Sequence, residues 1–137
     1  MNIDTATIKP TASFHGDELK QLWADDPMQV IVMLFDKSLL HISRARATLT
    51  GWSNESYQTS ILSAVAVIER LQMTLDHQQN PSMSANLDDL YRYVSRLLID
   101  SIQNKDQQVL HQATALLVQI RESLSAFVKK TPNSLRH

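Results

Sequence analysis

Apolar residues recur along most of this chain at steps of three and four, the spacing that gathers side chains on one face of an α-helix. The first such stretch carries Ile31, Leu34, Phe35, Ser38, Ile42, Ala45 and Leu49. Asp26 offers a capping carboxylate before it, Pro27 suits a first helical position, and Gly51 follows its last periodic residue, so the pattern predicts a helix over 27–50. A second stretch repeats through Tyr57, Ile61, Ala64, Ile68, Leu71 and Leu75, predicting a helix over 54–76 behind Ser53 or Asn54 as cap. The segment 77–84, with Pro81, interrupts it. A third helix is expected over 85–104, with Leu87, Tyr91, Val94, Leu98 and Ile102 on one face. A fourth is expected over 106–129, capped by Asp106 and carrying Val109, Ala113, Leu116, Leu117, Ile120, Leu124 and Phe127.

Helices of roughly 20 to 24 residues span about 30 Å each, and short connections make consecutive helices antiparallel neighbours. The expected fold is therefore all-α, an antiparallel up-down four-helix bundle over 26–130. Residues 1–25 mix Thr, Asp, Pro, Gly and Ser with scattered apolar positions and read as an irregular leader, with at most one short helix around Asp17 to Trp23. Residues 131–137 read as a flexible polar tail. A length of 137 residues supports one hydrophobic core, and only two glycines and four prolines leave few breaks for a many-stranded sheet.

Charge and cysteine content narrow the function. The net charge is −1 and no run of like charge exceeds two residues, so the footprint expected of a nucleic-acid or acidic-membrane binder is missing. There is no cysteine, which removes disulfides and thiolate chemistry. No stretch of eighteen apolar residues and no basic-then-apolar N-terminus occurs, so neither membrane insertion nor secretion is expected and the cytoplasm is the expected compartment.

Three helices carry more apolar residues than a four-helix core needs. Val32 and Leu39 widen the stripe of the first, while Met33 and Leu40 fall nearly opposite it. On the third, Leu90, Tyr93 and Leu97 extend the arc, and Asn86 and Asn104 bracket this strip with amides able to meet backbone groups. Leu62, Ala66 and Met73 do the same on the second. Such a surplus is either ordinary core and surface that the leader covers, or a groove for a partner helix, to which methionine and tyrosine at the edges are suited. Met33, Leu40, Asn86, Leu90, Tyr93, Leu97 and Asn104 are the candidate partner-binding residues.

Catalytic alternatives are thin. His41 with Arg44 three residues on resembles the exposed histidine of a phosphotransfer bundle, although Ala45 stands where such domains place a glycine. A di-iron bundle needs Glu-x-x-His pairs, and none of Glu18, Glu55, Glu69 or Glu122 has a histidine three residues later. No phosphate loop or nucleophile elbow is present, so no catalytic residue, metal or cofactor is expected.

Several segments, in order, resemble the FliS family of flagellar export chaperones: Pro27, Met33, Leu34, Phe35 and Asp36 in PMQVIVMLFD, then Leu75 and Asp76, then Asn86 to Tyr93 in NLDDLYRY. Asn104 and Asp106 in NKD, and Leu116, Leu117, Arg121 and Glu122 in LLVQIRE, continue it, so that the likeness covers about 27–128. The resemblance implies a cytoplasmic helical bundle that binds the disordered C-terminal segment of flagellin, prevents its premature polymerisation and helps deliver it to an export-gate component.

Overall fold

The computed structural model describes residues 27–130, and their side chains as far as 126. It contains four helices: α1 Pro27–Leu49, α2 Tyr57–Met73, α3 Pro81–Asn104 and α4 Gln107–Lys130. They pack in a ring in which α1 touches α2 and α4, and α3 touches α2 and α4. The direction of α2 against α3 is fixed at both ends, by Tyr57 with Ser101 and by Gln72 with Asp88. This is the all-α four-helix bundle expected from the apolar periodicity. The leader, with any short helix around 17–23, the Asp26 cap, the side chain of Phe127 and the tail lie outside the described residues.

The helix ends show which local signals won. Gly51 takes φ +79° and closes α1, with the Trp52 N–H donating to the Ala47 carbonyl at 3.0 Å and the Gly51 N–H to that of Thr48 at 3.4 Å. That is the Schellman arrangement, which needs a left-handed residue after the helix. α2 starts three residues later than expected, because Ser56 accepts from the Thr59 N–H while Ser53 is spent on the Glu55 N–H in the turn before it. It stops at Met73, since the Asp76 carboxylate accepts from the Gln78 and Gln79 N–H groups and folds that stretch into a turn. α3 begins at Pro81, four residues earlier than expected. Proline breaks a helix interior but fits its first turn, and Asn80 supplies the cap by accepting from the Met83 N–H.

The core follows the predicted stripes, with Phe35, Ile42, Ile61, Ile68, Leu71, Tyr91, Val94, Leu98 and Leu117 fully buried. On α4 Leu110 takes the central place expected of Val109, which is half-buried. Ile31, Leu49, Leu75, Leu87, Ile102, Leu116 and Leu124 pack against the core from its margin. The buried polar residues among those described are serines: Ser38, Ser60, Ser84 and Ser101. Three of them bond to carbonyls, Ser38 to Phe35, Ser84 to Asp76 and Ser101 to Leu98. Ser101 also accepts the Tyr57 hydroxyl proton at 2.8 Å, so a short polar chain ties the start of α2 to the end of α3.

This chain of bonds makes an asymmetric prediction. Tyr57→Phe removes one bond while Ser101 keeps its carbonyl, and should cost about 0.5–1.5 kcal/mol. Ser101→Val strands the buried phenol without its acceptor and should cost more, about 1–3 kcal/mol. Urea midpoints of the two variants, compared at one pH, check the order.

Candidate functional site

The rotation of α3 is set by Tyr91, Val94 and Leu98, which point into the core and are at most 1% exposed. With those residues inward, Leu90, Tyr93 and Leu97 turn to one flank, toward α4. Leu90 is 38% exposed, Tyr93 50% exposed, and Leu97 half-buried, while Asn86 and Asn104 are exposed toward the two ends of the strip.

Beside this strip runs an apolar groove of about 370 Å³ between α3 and α4. Its walls are Met83, Leu87 and Leu90 on one side and Leu116, Ile120 and Leu124 on the other, with Gln119 and Ser123 at the edge. Of the candidates taken from sequence, Leu90 lines the groove itself. Asn86, Tyr93, Leu97 and Asn104 lie on the same helix without lining it. Met33 and Leu40 sit on α1, diagonal to α3 in the ring, with Met33 half-buried and Leu40 48% exposed, so the structure does not bring them to the groove. Met83 escaped the sequence reading because its segment read as a break between helices. Leu116, Ile120 and Leu124 read as core, and their lean toward α3 was legible only once the ring order was known.

Other apolar surface is of a different kind. Leu62, Met73 and Ile99 are exposed on the α2–α3 side, where the depression between the helices also holds Glu69, Arg92, Arg96 and Asp100. There Arg92 pairs with Asp88 at 3.0 Å one turn back. Between α1 and α4, Arg121 Nε lies 3.2 Å from Asp36 Oδ1, within ion-pair distance but outside hydrogen-bond geometry, so this partly exposed pair contributes little. Among the described residues no group of three or more His, Cys, Asp or Glu side chains is placed to hold a metal ion, and no helix is long and apolar enough to cross a membrane.

His41 is half-buried beside the start of α2. Burial, then the nearby Arg44 and Lys37 charges, lower its pKa to about 4. The imidazole is therefore neutral near pH 7. The phosphotransfer alternative draws no support from this half-buried placement.

The class these features define is a four-helix bundle with an open apolar groove between α3 and α4. Comparison with known proteins then gives the family. The family profile described as "Flagellar protein FliS" matches residues 17–131, and the chain belongs to that family, whose members are export chaperones and not enzymes. The chain is 30% identical over 98 residues to the "Flagellar secretion chaperone FliS" of Salmonella typhimurium (strain LT2), covering 71% of this chain and 73% of that protein. It is 27% identical over 96 residues to the protein of the same name from Escherichia coli (strain K12), covering 69% and 71% respectively. No solved structure matches the chain significantly.

The position of His41 yields a pH prediction. Its folded-state pKa lies below the 6.5 of an unfolded histidine, so above pH 6.5 the group is neutral in both states and has no effect on stability. Between pH 6.5 and about 4 the unfolded chain takes up a proton that the folded one refuses, and stability falls with acidification. His41→Gln should flatten that fall, and the difference between wild-type and variant denaturation midpoints across pH 7.5 to 4 measures it.

Proposed function

We propose that this export chaperone is cytoplasmic and holds the disordered C-terminal segment of flagellin in the α3–α4 groove, keeping it from premature polymerisation and presenting it to an export-gate component. The observation that carries the reading is the apolar groove of Met83, Leu87, Leu90, Leu116, Ile120 and Leu124 on a member of the FliS family. A chain segment that becomes helical only when packed exposes apolar faces while free, and those faces aggregate. Covering them needs a groove with an amphipathic helix in it, not catalysis.

In this arrangement Leu90 seats the client at the groove wall, Tyr93 and Leu97 extend the contact along α3, and Asn86 and Asn104 meet client backbone groups near the ends of the strip. Met33 and Leu40 offer a separate contact on α1 for a client that continues around the bundle. Ordering a disordered client carries an entropic cost, so affinity rests on several apolar anchors together.

Two measurements test this. Purified protein should form a stoichiometric complex with full-length flagellin and lose it with flagellin lacking its C-terminal segment; equal binding of both forms excludes the proposed client. Tyr93→Ala should weaken client binding by about 1–3 kcal/mol, the range of an aromatic interface anchor, with a smaller loss of bundle stability. Val94→Ala, at a fully buried position, should do the reverse. Paired affinities and denaturation midpoints decide the matter, and an unchanged affinity for Tyr93→Ala moves the client to another face.

A further inference from the structure

On the α1–α2 side, across the ring from the apolar groove, lies a second cleft of about 240 Å³ lined by residues with polar side chains, although their carbon atoms make up much of its surface. His41 and Arg44 of α1 face Ser56, Thr59, Ser60 and Ser63 from the first turns of α2. Ser60 is the telling residue. It is only 5% exposed, it lines the cleft, and its hydroxyl has no hydrogen-bond partner among the described residues, whereas the other three buried serines each bond to a carbonyl. Arg44 has no carboxylate within ion-pair distance among the described residues. The local field is positive as well: burial first, then Arg70 and Arg44, hold the Lys37 ammonium below its usual range.

We propose that this cleft binds an oxyanion of the phosphate class, with Arg44 meeting its charge and the Ser60, Ser63 and Thr59 hydroxyls donating to its oxygens. A single carboxylate would be satisfied by the guanidinium alone, but a tetrahedral anion has acceptor oxygens left for hydroxyls arriving from the other wall. The start of α2 adds its own positive end. Ser56 already accepts from the Thr59 N–H, which leaves its proton for the ligand. Glu55 is exposed at the mouth and opposes the anion, so it limits the affinity rather than supplying it. The site is separate from the client groove and does not depend on what that groove holds.

The test is a titration of the full chain with inorganic phosphate at constant ionic strength, read by calorimetry and by the titration of the His41 ring in NMR spectra. Saturable binding is expected, together with a rise in the pH at which His41 titrates, since an adjacent anion favours the protonated ring. Arg44→Gln should weaken binding about tenfold or more, Ser60→Ala about threefold, and Glu55→Gln should strengthen it, while Arg92→Gln on α3 leaves it unchanged. Denaturation midpoints in chloride establish that each variant is folded. O-phosphoserine, titrated in parallel, separates the sources: tighter binding than inorganic phosphate assigns the site to a phosphoryl group carried by a protein, and weaker binding to the free anion. Absence of saturable binding, an unmoved His41 titration, or an Arg44→Gln variant that binds like wild type overturns the proposal.

Discussion

Phe35 and Tyr91 meet across the diagonal of the bundle, their ring centroids 6.1 Å apart, and the rest of the molecule is arranged around that contact. α1 and α3 are not neighbours in the ring, so two large rings must reach across the centre to close it. Both are essentially inaccessible to solvent. Burial holds the Tyr91 phenol well above its ordinary pKa, so it packs as a neutral ring. Once Tyr91 is locked inward, the helical repeat leaves Leu90, Tyr93 and Leu97 no place in the core. The apolar outer flank of α3 is thus a geometric consequence of the core.

The stripes of the four helices were legible because burial in a bundle follows a 3.6-residue period with little interference. Helix ends were less so. Ser53, Asn54 and Ser56 are all competent caps, and what decides among them is which hydroxyl the turn consumes: Ser53 goes to the Glu55 N–H and Ser56 is left for the helix. Pro81 illustrates the same ambiguity, because one residue can end a helix or begin one, and Asn80 before it tips the balance. The strip on α3 was visible as surplus apolar surface. Its partner wall on α4 was not, since Leu116, Ile120 and Leu124 satisfy the core period equally well and only the ring order shows which way they lean. Met33 and Leu40 were grouped with α3 by excess alone, and excess carries no information about which helices stand side by side.

The two sides of the bundle differ in how they handle polarity. The α3–α4 groove is walled by aliphatic side chains with its polar residues at the edge, which suits a partner that contributes apolar surface and little else. The α1–α2 cleft places hydroxyls, an arginine and a neutral histidine on its walls. Each of those groups has a hydration shell to give up, so the cleft repays desolvation only to a ligand that returns hydrogen bonds.

That contrast bears on how a chaperone can hold a client and still release it. A groove of flexible and branched aliphatic side chains gains from burial roughly in proportion to area, with no single bond whose loss ejects the ligand. The ordering of a disordered client subtracts from that gain throughout its length. Affinity is then the difference between two extended sums, and shortening the contact by a turn of helix at either end lowers both. Release can proceed by peeling, one turn at a time. Asn86 and Asn104 are exposed toward the two ends of the α3 strip, and under the proposed function a client turn that frays there exchanges a protein amide for water at small cost. A buried ion pair in the middle of the groove would have made the same release all-or-none, and the described walls of the groove contain no charged residue.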